Sequence, residues 1–137
     1  DMLDFYKQRY GITSKHLLVN EAVTDFWAIL INVYLIVKLL NLSYRDFLTY
    51  VQAERMFVLY QAQKMLSLNR DWNRYTHVFS YYIVKGELFQ NFPLTLKKMN
   101  YQINNYDDVQ ALLEKTKPIQ SIPFQEGCLR MSKIELN

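Results

Sequence analysis

Apolar residues recur along most of the chain with the spacing of an α-helix rather than the alternation of a strand. The pattern predicts helices over residues 2–9, 15–40, 44–66 and 72–85, another that begins near Pro93, and a last one that ends before Pro118. We therefore expect an all-α fold, an irregular bundle of five or six helices that occupies residues 1–117.

Two helix ends carry specific local signals. Ser43 precedes the third helix and Asp46 follows three residues later, which is the spacing of a capping box. Gly86 stands directly after the helix predicted over residues 72–85, where a left-handed residue commonly ends a helix. We expect that helix to stop at Lys85.

The last 20 residues have a different character. Residues 118–137 hold two of the three prolines, short apolar spots and a turn candidate at Glu126–Gly127. This composition fits a small β-hairpin, and it fits equally an extended arm that lies on the helices or on a partner.

The second helix is unusually apolar from Phe26 to Leu42. Only Asn32, Lys38 and Asn41 interrupt these 17 residues, which fall short of the roughly 20 that cross a bilayer. A short span remains an alternative, because a lysine near a helix end can reach the headgroups. We favour a core helix surrounded by other helices, and we expect no membrane partner.

Length and composition fit one folded domain. The chain has 137 residues, half of them hydrophobic, with three glycines, three prolines and a formal net charge of +3. The single cysteine, Cys128, excludes an internal disulfide framework and a cysteine-based zinc site. It favours a reducing, intracellular location, cytoplasmic or nuclear.

The sequence offers no constellation typical of an enzyme. The three glycines are isolated, and neither His16 nor His77 follows a glutamate at the spacing used in helical metal sites. Glu21 and Asp25 share a helix face, where solvated carboxylates are common. We expect a non-enzymatic chain without catalytic residues, metal or other cofactor.

One helix face is basic. The spacing places Arg70, Arg74, His77, Tyr81 and Lys85 opposite the apolar stripe of the 72–85 helix. Arginine and lysine neutralise phosphates, and tyrosine contacts sugars or bases. This face supports an alternative function, a nucleic-acid-binding regulator.

Aromatic residues make up 15% of the chain, and several fit no predicted buried stripe. The clearest such positions are Tyr50, Phe57, Tyr60, Phe89 and Tyr101. Exposed aromatic side chains mark surfaces that bind a partner. The leading prediction is therefore an assembly or regulatory interaction domain that binds a protein partner or a second copy of itself, most simply as a homodimer.

Overall fold

Helices form the regular structure of the protein. A computed structural model describes residues 2–12, 17–67, 80–102 and 106–119, the side chains of residues 106 and 107 excepted. The elements are α1, Met2–Tyr10; α2, Val19–Leu39; α3, Tyr44–Ser67; a π-helical segment, Ser80–Val84; α4, Lys85–Gln90; α5, Leu94–Lys98; and α6, Tyr106–Lys115. These ranges contain six α-helices and no strand, which confirms the all-α class. The predicted hairpin or arm lies, from residue 120 onward, outside the described residues.

The loop between α2 and α3 fixes an antiparallel helical hairpin. At the end of α2, Asn41 has a φ of 54°, and the N–H groups of Asn41 and Leu42 donate to the carbonyls of Lys38 and Val37. This is a Schellman motif, in which asparagine takes the left-handed position. The Asp46 carboxylate accepts from the Ser43 backbone N–H at 2.9 Å, and the Asp46 N–H donates to Ser43 Oγ at 3.2 Å. The predicted capping box is confirmed.

The core lies where α2, α3 and α4 with its preceding π-helical segment pack together. Phe26 of α2 and Phe89 of α4 meet there, with ring centroids 4.8 Å apart. Gly86 lies inside the helix, which continues to Gln90, so the predicted stop at Gly86 is wrong. A Cβ at this position would lie 2.9 Å from Ala62 Cβ of α3, so the glycine serves close helix packing.

The Arg55 side chain of α3 caps the C-terminal end of α4. The Arg55 guanidinium of α3 donates to the carbonyl oxygens of Phe89 at 2.8 Å and Gln90 at 3.0 Å. The Phe89 carbonyl also accepts from the Phe92 N–H at 3.1 Å, and a cation suits the negative end of the helix dipole. The chain then turns at Pro93 into α5, as the sequence predicts.

Candidate interaction surface

The C-terminal half of α2 has apolar residues on two sides. Its inner stripe includes Val33 and Val37, which are buried. Its outer stripe is exposed: Ile31 by 44%, Leu35 by 52% and Leu39 by 84%. The prediction of a core helix surrounded by other helices is wrong here, because no element in the described ranges covers the outer stripe.

The first turns of α3 extend this exposed region. Tyr44 is 73% exposed and Leu48 is 43% exposed, although helical spacing places both on the same side of α3 as the buried Val51 and Val58. The reason is that α4 ends at the level of Arg55, so the start of α3 projects beyond it. Seven of the eleven large exposed hydrophobic side chains in the described part of the chain fall between residues 31 and 48. We call them the apolar surface: Ile31, Tyr34, Leu35, Leu39, Leu40, Tyr44 and Leu48.

A groove of about 240 Å³ indents the apolar surface between α2, α3 and the segment that leads into α5. Its lining is Trp27, Leu30, Ile31, Tyr34, Phe47, Phe92 and Leu96. The Phe47 ring meets the Tyr34 ring edge-on at 6.4 Å and stacks on the Tyr44 ring at 6.2 Å. These ring contacts fix the position of the two tyrosines.

Polar groups lie within and beside the apolar surface. The Lys38 ammonium lies 5.7 Å from the centre of the Tyr34 ring, which is cation–π distance. The Asp46 carboxylate accepts from the Ser43 backbone N–H, which holds the pKa of Asp46 below its usual value. A charged carboxylate therefore stands in the first turn of α3, between Tyr44 and Leu48.

The predicted aromatic interface is distributed over several environments. Tyr60 is 46% exposed and Tyr101 is 69% exposed, whereas Tyr50 and Phe57 are half-buried. Phe89 is fully buried against Phe26, so its predicted exposure is wrong. The reason is that α4 lies between α2 and α3, with Phe89 facing the core.

Lys85 does not lie on an exposed basic face. This side chain is 1% exposed, and its ammonium lies 2.7 Å from Asp25 Oδ2 of α2. The expected exposure of Lys85 is wrong, because α4 packs on α2 with this side inward. The Tyr81 hydroxyl donates a hydrogen bond to the Glu21 carboxylate at 3.0 Å. Arg70, Arg74 and His77 lie outside the described residues.

A buried carboxylate, Glu87, joins three parts of the chain. It accepts hydrogen bonds from the Tyr6 hydroxyl at 2.6 Å, the Tyr10 hydroxyl at 2.5 Å and the Arg9 guanidinium at 3.0 Å. Arg9 also donates to the Thr116 carbonyl, and the Ile119 N–H donates to the Tyr10 hydroxyl. We call Tyr6, Arg9, Tyr10, Glu87 and Thr116 the Glu87 cluster.

Burial governs the proton equilibria of the Glu87 cluster. Desolvation raises the pKa of Glu87 above its usual value, although its hydrogen bonds to Tyr10, Tyr6 and Arg9 oppose the rise. Desolvation and the neighbouring carboxylate raise the pKa values of Tyr6 and Tyr10. Local sequence patterns contain no signal for this cluster, since its members are separated by up to 110 residues. Its contacts show a structural clamp that holds α1 and residues 116–119 on α4.

In the described ranges no group of three or more His, Cys, Asp or Glu side chains could hold a metal ion. α2 is long and apolar enough to cross a membrane by length and composition, and 39% of its most apolar stretch is buried inside the protein. A buried core helix of a soluble protein meets the same criterion.

Comparisons with family models, with curated proteins and with solved structures find no match to this chain.

Proposed function

We propose that this chain is a non-enzymatic interaction domain that binds a protein partner through the apolar surface. The concentration of seven large exposed hydrophobic side chains on one helical hairpin carries the proposal. Contiguous apolar surface is unfavourable in water, and on soluble proteins it commonly marks a binding site.

The polar groups of the hairpin favour a protein over a lipid bilayer as the partner. Asn41 and the charged Asp46 lie in the same turn region as Leu40 and Tyr44. Inserting this turn into hydrocarbon would carry a carboxylate and an amide out of water, which costs several kcal/mol. At a protein interface, these groups can remain at a solvated rim.

Photo-crosslinking tests this proposal. A benzophenone amino acid replaces Leu39, which is the most exposed member of the apolar surface at 84%. Gln52, an exposed residue of α3 outside the apolar surface, is the matched control position. We expect a discrete protein adduct from position 39 and none from position 52. Adducts with lipid alone, or equal adducts from both positions, would contradict the proposal.

The nucleic-acid alternative remains a prediction that depends on Arg70, Arg74 and His77. The burial of Lys85 weakens it, because an ammonium paired with Asp25 in the core cannot reach a phosphate. The intracellular location likewise remains a prediction from Cys128.

A further inference from the structure

We infer that the partner of the apolar surface is a second copy of this chain, packed α2 against α2 in antiparallel orientation about a two-fold axis near Leu35. This inference depends on the proposed function, because it names the occupant of the same surface.

The size of the surface fits one half of a dimer interface. Its seven side chains are 43–84% exposed. If the leucines and the isoleucine are counted at roughly the lower end of the range for a large aromatic side chain in the open, about 150–250 Å², the seven present on the order of 600–800 Å². Each partner contributes about this area to a protein interface of standard size. One further copy would therefore cover the surface.

The shape of the surface provides both halves of a reciprocal contact. Leu39 and Tyr44 project into solvent, at 84% and 73% exposure. The groove lies on the same helical hairpin, and its lining residue Phe47 stacks on the Tyr44 ring. A two-fold interface uses the same patch on both copies, so it needs projecting and receiving parts on one surface.

The order of residues on α2 selects the antiparallel arrangement. Antiparallel helices centred on Leu35 bring Ile31 of one copy to Leu39 of the other, four residues on either side of the axis. The same symmetry brings Lys38 opposite Asn32, whose amide oxygen can accept from the ammonium. A parallel arrangement would place the two Lys38 ammonium groups side by side, and like charges at an interface are repulsive.

Single cysteines and a short bis-maleimide crosslinker test both the partner and its orientation. The chain carries Cys128→Ser, so that each introduced thiol is the only one, and the variants are Ile31→Cys, Leu35→Cys and Leu39→Cys. Gln52→Cys is the control on an exposed part of α3. Sedimentation velocity without crosslinker confirms the mass of each variant.

We expect Leu35→Cys alone to form a crosslinked product of twice the 16.5 kDa chain mass. We expect Ile31→Cys to crosslink efficiently only when it is mixed with Leu39→Cys.

Crosslinking of Ile31→Cys and Leu39→Cys each with itself would overturn the antiparallel arrangement. A chain that sediments as a monomer and yields no crosslinked pair would overturn the second copy as partner. If position 39 still gives an adduct with another protein, the proposed function survives that result; if it gives none, both fail. An adduct between position 39 and residues 120–137 of the same chain would also overturn the inference.

Discussion

The Glu87 cluster and the apolar surface differ in the kind of side chain that they bury or expose. In the Glu87 cluster, a fully buried carboxylate receives hydrogen bonds from Tyr6, Arg9 and Tyr10 of α1. In the apolar surface, by contrast, large side chains of α2 and α3 stand in water. Residues of the described ranges complete the first region, whereas none of them covers the second. We therefore assign a stabilising role within the chain to the Glu87 cluster, and we propose the apolar surface as the place where a partner binds.

Removal of the buried carboxylate is the largest expected effect. Glu87→Ala leaves the Arg9 guanidinium, 12% exposed, without its carboxylate partner. Breaking a buried ion pair from one side typically costs about 3–5 kcal/mol, so we expect a loss of this size in the free energy of unfolding. Urea denaturation measures it. Glu21→Ala removes an exposed carboxylate as the control, and equal losses for both variants would contradict the contrast.

Substitution of one leucine in each stripe of α2 compares how much the inner and the outer stripe contribute to the free energy of unfolding. Leu30 is 6% exposed and Leu35 is 52% exposed. Leu30→Ala should lower the free energy of unfolding by about 2–5 kcal/mol, because it leaves a cavity in the core. Leu35→Ala should cost under about 1 kcal/mol in dilute solution, where two copies are dissociated. A larger loss for Leu35→Ala than for Leu30→Ala would show that the outer stripe is packed within the monomer.

Two tyrosine–glutamate hydrogen bonds of the protein differ in burial, since one is buried and the other is exposed. Comparing them separates the effect of burial on stability from the effect of the hydrogen bond itself. Tyr6 donates to Glu87 at 2.6 Å in the core, and Tyr81 donates to Glu21 at 3.0 Å in an exposed position. Tyr6→Phe should lower the free energy of unfolding by about 1.5–3 kcal/mol, as expected for a hydrogen bond to a buried charged group. Tyr81→Phe should change it by under about 0.5 kcal/mol. Similar values in urea denaturation would refute the special role of the Glu87 cluster.

The smallest and most specific effect that we expect is a change in how the free energy of unfolding depends on pH under alkaline conditions. Burial raises the pKa of Tyr6 well above the ordinary value for tyrosine, about 10, so the unfolded chain loses this proton first as the pH rises. Its contribution is complete below pH 10 and then declines by up to about 1.4 kcal/mol per pH unit. Tyr6→Phe should make the decline in the free energy of unfolding shallower. An unchanged slope between pH 9 and about pH 11 would contradict this assignment.

Local signals in the sequence were sufficient for the all-α class and for one helix cap, whereas most of the helix predicted over residues 72–85 lies outside the described residues. Ser43 and Asp46 form the capping box that their spacing predicts, because both partners lie within one turn. Gly86 misled the prediction, since close packing against Ala62 and a left-handed helix end both require glycine. Only the three-dimensional arrangement distinguishes the two.

The apolar surface does not coincide with the aromatic positions that the sequence singles out. The sequence shows that α2 is unusually apolar, yet periodicity does not tell which side a neighbouring helix covers. Helical spacing predicts that Lys85 lies opposite the apolar stripe, and Phe89 fits no predicted buried stripe. Both side chains are nevertheless buried, in a helix that continues to Gln90. The Glu87 cluster depends on contacts between distant segments, which local patterns do not reveal.

Sedimentation equilibrium of the unmodified chain, over the widest range of concentration in which it stays soluble, tests whether the apolar surface joins two copies. We expect a reversible rise from 16.5 kDa to twice that mass, and we expect Leu35→Glu to abolish this rise while Gln52→Glu behaves like the unmodified chain. A mass of 16.5 kDa at every concentration would show that the apolar surface does not join two copies.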